Sequence, residues 1–253
     1  MARGGYVMQL GRVAYTEAWE LQRALAGAVS QGAIPDTIVL LEHPPVVTLG
    51  RRADETELHI PEHAEVELVE TDRGGKSTFH GPGQLVCYPI LDLKRHGRDV
   101  KQYVRNLEEA LIRTVAPFDL EAERIDGLTG IWLTKPPRKL ASIGVHVSRW
   151  VTTHGYALNV DLDPAPFTDW ITACGLEDAM FTTVAREAGR PVSVDDVRPH
   201  AVAALEHVFG LELEPLPAED GAGLWAQPVH AGLASSHYTA AAGGRSPSST
   251  ISG

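Results

Sequence analysis

Four short segments gather the residue types that do chemistry. Cys174 lies in Ile171-Thr172-Ala173-Cys174-Gly175-Leu176, a stretch with neither helical nor strand periodicity. A loop thiol beside a glycine has backbone N–H groups close by, a setting for a thiolate nucleophile. The second segment is Arg73-Gly74-Gly75-Lys76-Ser77-Thr78-Phe79-His80-Gly81-Pro82-Gly83-Gln84, where turn formers alternate with Arg, Thr and His. Free N–H groups in such a run can hold an anion or a polarised oxygen. Its spacing is neither that of a nucleotide P-loop nor that of a dinucleotide fingerprint. The third, Arg138-Lys139-Leu140-Ala141-Ser142-Ile143-Gly144-Val145, sets a lysine where a loop enters a strand, and the small residues Ser142 and Gly144 share one strand face. The fourth, His154-Gly155-Tyr156-Ala157-Leu158-Asn159-Val160, places Gly155 and Ala157 on one face in the same way. If these two strands pair, four small residues floor a narrow groove suited to an alkyl chain. Taken singly, each residue also has a plainer reading: a solvated lysine, a structural histidine, a glycine-rich turn.

Other chemistries find less support. Cys87 falls in Leu85-Val86-Cys87-Tyr88-Pro89-Ile90, a buried-strand pattern, and is expected in the core. There is no Cys-x-x-Cys and no His-Glu-x-x-His, and Pro61 disfavours a helix that would bring His59 and His63 together, so no metal site is expected. No Gly-x-Ser-x-Gly elbow is present.

The elements that must position these residues follow from periodicity and punctuation. Apolar residues at helical spacing from Thr16 to Gln31 predict a helix closed by Gly32. A second helix is predicted from Asp99 to Phe118, and a third from Ser193, as cap, to Phe209, closed by Gly210. Strands are predicted at 37–42, 46–49, 65–69, 85–91, 131–133, 140–147 and 151–160. Asp126-Gly127 marks a turn, and Arg149-Trp150 marks the bend of a hairpin. Strands and helices do not alternate strictly, so the expected class is α+β, a mixed sheet packed with helices. The last stretch is rich in Ala, Gly, Ser and Pro and is expected to be a disordered tail over residues 215–253.

The net charge is −11, and it is uneven: residues 151–253 hold 4 Arg and no Lys against 13 acidic residues. Such a chain is a poor nucleic-acid binder, because phosphate neutralisation needs positive surface. No window has 18 consecutive apolar residues and the N-terminus has no apolar signal core, so no membrane span and a cytoplasmic location are expected. Two cysteines make no disulfide framework.

Together the four segments resemble the lipoyl(octanoyl) transferase family, which shares its fold with the biotin and lipoate protein ligases. The resemblance rests on Arg73-Gly74-Gly75, Thr78-Phe79-His80 and Gly83-Gln84 followed by Tyr88, and on the order and spacing of the segments around Lys139, His154 and Cys174. It spans about Val13 to Gly210 and implies one catalytic domain over residues 1–214. It implies that Cys174 is the nucleophile that forms an octanoyl thioester, and that Lys139 lowers the thiol pKa and handles its proton. It implies acyl-binding surfaces at Arg73, Gly74, Gly75, Lys76, Ser77, Thr78, Phe79 and His80, at Ser142, Ile143 and Gly144, and at Gly155, Tyr156 and Ala157. The implied donor is octanoyl acyl carrier protein. The implied acceptor is a lysine on the lipoyl domain of a 2-oxoacid dehydrogenase complex or on the glycine cleavage H protein. No cofactor is implied, because passing from thioester to amide is downhill without ATP. A ligase of the same fold would need ATP and no cysteine. Acidic partners would meet basic residues at the site, expected to be Arg51, Arg52, Lys76 and Arg138.

Overall fold

The structure is a computed structural model that describes residues 2–171 and 180–217. Cys174 and the body of the expected tail, from residue 218 on, lie outside the described residues. The described elements run β1 (Arg3–Arg12), α1 (Tyr15–Gln31), β2 (Thr37–Glu42), β3 (Val46–Leu49), β4 (Glu67–Glu70), β5 (Ser77–His80), β6 (Gln84–Ile90) and α2 (Val100–Val115). They continue with β7 (Glu123–Ile125), β8 (Leu128–Thr134), β9 (Pro137–Ser148), β10 (Val151–Asn159), α3 (Pro166–Asp169), β11 (Met180–Phe181), α4 (Val184–Ala188), α5 (Val194–Phe209) and β12 (Leu211–Pro215).

α1 and α5 start and stop where the sequence signals them, whereas α2 ends at Val115, short of the expected Phe118, because Pro117 turns the chain into a 3-10 turn over Ala116–Phe118. α1 buries Ala18, Leu21, Leu25 and Val29, and Gly32 ends it at a left-handed φ of 72°. Asp99 caps α2 by accepting the Gln102 N–H, and Ser193 caps α5 in a reciprocal capping box with Asp196.

The main sheet has the order β12-β1-β2-β6-β10-β9-β8-β7, and β11 pairs with β9 off that path. It is mixed: β1 is parallel to both β2 and β12, while β2, β6, β10, β9 and β8 run antiparallel to their successive neighbours. α2 and α5 cover one face, over Leu40, Leu85, Cys87 and Leu158, and α1 covers the other, over Val39, Leu41, Val86 and Ala157. With both faces covered, β2 and β6 are buried runs without a solvent-facing alternation. Cys87 is fully buried, and burial pushes its thiol pKa up, so it belongs to the core as expected.

A second sheet, β4-β3-β5, stands beside the first and carries the glycine-rich segment between β4 and β5. Two sequence expectations change here. The strand expected at 65–69 runs over Glu67–Glu70, because its register is set by pairing with Val46–Leu49. The segment read as a glycine-rich turn becomes strand β5 from Ser77. At the other edge of the main sheet Pro215 pairs with Val7, and the Leu216 N–H donates to the Val7 carbonyl.

β9 and β10 form the hairpin the sequence suggested, turning at Arg149-Trp150. Gly144 lies opposite Gly155 and Ser142 opposite Ala157, so the four small residues do form one block. Their roles differ from the expected open floor. A Cβ on Gly155 would sit 2.1 Å from the Cys87 carbonyl oxygen, and one on Gly144 would sit 2.8 Å from the Gly74 carbonyl oxygen. Both glycines are needed for close approach of backbone. Gly155→Ala is therefore expected to destabilise the fold by more than about 2 kcal/mol in urea unfolding. A loss below about 0.5 kcal/mol would mean that β6 can retreat from β10 freely.

Candidate active site

The cleft lies over the β9–β10 hairpin, under the glycine-rich segment and beside the N-terminus of α1. Of the expected residues it is lined by Arg73, Gly74, Gly75, Lys76, Ser77, Thr78, His80, Lys139, Ser142, Ile143, Gly144, Gly155, Tyr156 and Ala157. Tyr15, Val86, Tyr88 and His154 complete the walls. The enclosed space between them is narrow, about 70 Å³. Phe79 is the exception among the expected residues. Strand alternation turns it away from the cleft, edge-on to Phe167 and Trp170.

Arg73 is the anchor of the upper wall. It is buried, and its Nε and Nη2 donate to the Thr48 hydroxyl at 3.1 and 2.8 Å, while Nη2 also donates to the Thr48 carbonyl at 2.6 Å. The segment is held to β9 by the Gly74 N–H donating to Val145 O at 2.9 Å. Gly50 makes room for this packing, since a Cβ there would lie 2.7 Å from Arg73 Nη1.

A chain of hydrogen bonds runs from this anchor to Lys139. The Thr48 hydroxyl accepts from Arg73 and has its own hydrogen for His80 Nε2 at 3.4 Å. His80 Nδ1 donates to Gln84 Oε1 at 2.8 Å, and Gln84 Nε2 donates to Asn159 Oδ1 at 3.0 Å. Asn159 Nδ2 donates to the Thr182 carbonyl at 3.2 Å, and the Thr182 N–H donates to the Lys139 carbonyl at 3.1 Å. The tautomer of His80 and the amide orientations are those that let every member of the chain be satisfied. Thr48, Asn159 and Thr182 were not singled out from the sequence. Asn159 lay in a quoted segment, but only its register opposite Gln84 shows what it does.

Lys139 is 4% exposed, not the solvated residue that a strand-edge lysine usually is. Its Nζ lies 5.1 Å from the centre of the Trp132 ring, and its stem packs over Gly130, whose φ of 116° is open to glycine alone. Phe181 of β11 pairs with it in register.

His80 and His154 line the cleft, and His43 packs against His80 and Tyr15. His43 donates from Nδ1 to Val13 O at 2.7 Å and accepts from the Tyr88 hydroxyl at Nε2 at 2.6 Å. Burial pushes its pKa down to about 4, against the opposing pull of the Val13 carbonyl. Burial holds His80 well below the usual histidine range, and the neighbouring His43 and Arg73 add to this. His154 has a left-handed φ of 56°, bonds Asp72 through Nε2 at 2.7 Å and receives the Tyr15 hydroxyl at Nδ1 at 3.3 Å. Its pKa is also lowered, because burial outweighs the Asp72 hydrogen bond. Among the described residues no group of His, Cys, Asp and Glu has the arrangement of a metal site.

The basic patch expected at the site is smaller than the sequence suggests. Lys76 is paired with Glu57, and Arg138 makes a two-pronged pair with Glu187 at 2.8 Å for each arm. Arg51 and Arg52 are exposed beside the segment, their N–H groups bound to the Arg73 and Gly75 carbonyls.

The lipoyl protein ligase A/B catalytic domain family matches residues 14–206 of the chain. The chain is 47% identical over 217 residues to an octanoyltransferase of Chloroflexus aurantiacus, covering 81% of this chain and 94% of that one. It is 53% identical over 201 residues to an octanoyltransferase of Mycobacterium tuberculosis, covering 79% and 84%. In fold it is similar to a two-part lipoate protein ligase of Thermoplasma acidophilum, with a TM-score of 0.69 at 14% identity over 88% of this chain and 91% of that one. It is likewise similar to a lipoate-protein ligase A solved with ATP, with a TM-score of 0.67 at 14% identity over 89% and 93%. The chain belongs to the octanoyltransferase family, and is an acyltransferase of protein lipoylation. Among the described residues no helix is long and apolar enough to cross a membrane.

The neutral histidines make stability depend on pH. Each is uncharged in the fold but protonates in the unfolded chain below about pH 6.5. Between about 6.5 and 4 the unfolded state therefore binds more protons, and stability falls as the pH drops through that window. His43→Gln is expected to flatten this slope in urea titrations across the window. An unchanged slope would show that His43 titrates alike in both states.

Proposed function

We propose that the protein moves an octanoyl group from acyl carrier protein to a lysine of a lipoyl domain through a thioester on Cys174, with residues 1–214 acting as one catalytic domain. The observation that carries this reading is the placement of β11. Of the described residues on either side of Cys174 in sequence, Ile171 is buried and bridges Leu58, and Met180–Phe181 pairs with Arg138 and Lys139. The Thr182 N–H donates to the Lys139 carbonyl, and Lys139 lines the same cleft as the small residues of β9 and β10. The relatives named octanoyltransferase support the acyl group, and the Thermoplasma ligase, described with its E2 lipoyl domain, supports the acceptor class.

The steps balance without a cofactor. The Cys174 thiolate attacks the carbonyl carbon of the octanoyl thioester. A new C–S bond forms, the carrier's C–S bond breaks, and the carrier leaves as a thiolate that takes up a proton. The neutral amine of the acceptor lysine then attacks the enzyme thioester. The amide bond forms, Cys174 leaves, and the amine's proton passes to Lys139 or to the departing sulfur. Arg73 and the N–H groups of the glycine-rich segment favour the negative charge that develops on the carbonyl oxygen in both steps. The buried walls from Tyr15 to Tyr156 keep water from competing with the amine.

The test mixes the protein with octanoyl carrier protein and an unmodified lipoyl domain, without ATP, and weighs the domain. The expected outcome is one octanoyl group on one lysine. Lys139→Ala is expected to lower kcat by about 10²–10⁴-fold with the fold intact by circular dichroism. Modification that requires free octanoate and ATP would instead make the protein a ligase.

A further inference from the structure

The turn that joins β9 to β10 is made by Arg149 and Trp150, with φ angles of 51° and 72°. Two successive left-handed residues define a type I′ turn, which favours Asn-Gly and strains bulky side chains. Trp150 is 39% exposed, and Val100 is the other exposed large hydrophobic among the described residues. The turn is seated on the segment that leads into α2: the Leu93 N–H donates to the Trp150 carbonyl at 2.7 Å, and Val151 bridges Asp92. In that segment Arg98 is left-handed as well, at a φ of 54°.

Three bulky residues are thus held in a conformation that costs energy outside Gly and Asn. Arg98, Lys101 and Arg149 are exposed and make no ion pair among the described residues, whereas Lys94 and Arg95 are engaged by Asp92 and Asp36. The acidic side chain of Asp99 stands among them but is turned to the Gln102 N–H. In a chain of net charge −11, an exposed tryptophan and an exposed arginine thus share one turn, and Leu93 links it by backbone hydrogen bonds to Arg98. Tryptophan and arginine are the residues that most often anchor protein interfaces.

We propose that the Arg149-Trp150 turn, with Arg98 and Lys101, docks the acidic carrier protein that delivers the octanoyl group. The proposal rests on the donor assigned above. Charge complementarity points to an acidic partner, since Arg98, Lys101 and Arg149 are exposed without ion pairs among the described residues. The turn lies about 15 Å along β9 from Gly144 in the cleft, by the rise of a strand. A carrier protein holds its acyl group at the end of a long flexible arm that spans this distance.

The test compares two donors, octanoyl carrier protein and a small octanoyl thioester of N-acetylcysteamine, and two variants. Arg149→Glu reverses a charge. The double change Arg149→Asn with Trp150→Gly installs the turn's preferred residues and is expected to raise the melting temperature. Both variants are expected to raise KM for the carrier donor about tenfold or more and to flatten its salt dependence. Kinetics with the small thioester are expected to stay unchanged. Equal KM for the carrier donor in the double variant would overturn the proposal. So would an equal loss with both donors, which would place the effect in the cleft. If the unsubstituted protein accepts the small thioester but not the carrier, both the donor assignment and this docking surface fall.

Discussion

The site depends on two missing side chains that face each other across a strand pair. Gly144 and Gly155 are opposite in register, and each lets another piece of backbone come closer than any Cβ would permit. On β10 the visitor is the Cys87 carbonyl of β6, which draws the central strands of the main sheet together. On β9 the visitor is the Gly74 carbonyl, which brings the glycine-rich segment down onto the hairpin. In that segment Arg73 donates to Thr48, whose hydroxyl lies within hydrogen-bond reach of His80. The walls of the cleft are thus a consequence of backbone contact, with side chains filling in afterwards.

The polar lining that results is fixed and carries little mobile charge. A buried guanidinium sits among His43, His80 and His154, all of which burial holds neutral. Neutral imidazoles can each donate once and accept once, and this is what lets Thr48, Gln84 and Asn159 be satisfied in sequence. Such a chain transmits position: displacing His80 would disturb Asn159, and through Thr182 the backbone of Lys139. Low dielectric surroundings strengthen each link and make a broken one costly. The arrangement suits a reaction in which negative charge appears briefly on an acyl oxygen and must be met by groups already in place.

Much of this was legible in the sequence, for physical reasons. Helix ends were marked by Gly32, Asp99, Ser193 and Gly210, which act locally, so α1, α5 and the start of α2 were read nearly to the residue, while the end of α2, without such a mark, was read three residues too far. The hairpin turn was read from an unusual place, since Arg149-Trp150 has none of the usual turn chemistry and only the flanking strand patterns bracket it. β1 was not foreseen, because Gly4, Gly5 and Gly11 hide its period, and β12 is a strand only because β1 is there to pair with it. Within the site, residue types with obvious chemistry were found, whereas Thr48 and Thr182 were invisible. A threonine acquires its role from what the fold brings within 3 Å, and no local pattern records that. Phe79 was misplaced for the same reason, as its neighbours on either side face the cleft and it does not. Lys76 and Arg138 look free in sequence because Glu57 and Glu187 are far along the chain.

The account stands on a covalent step at Cys174, and one measurement reaches it directly. The protein is mixed with octanoyl carrier protein, quenched in acid within seconds and weighed intact. The mass of one octanoyl group should be added, released by neutral hydroxylamine and mapped to Cys174, and Cys174→Ala should remain unmodified. An unmodified enzyme that still transfers octanoyl to the lipoyl domain, or a Cys174→Ala variant that transfers at the full rate, would contradict it.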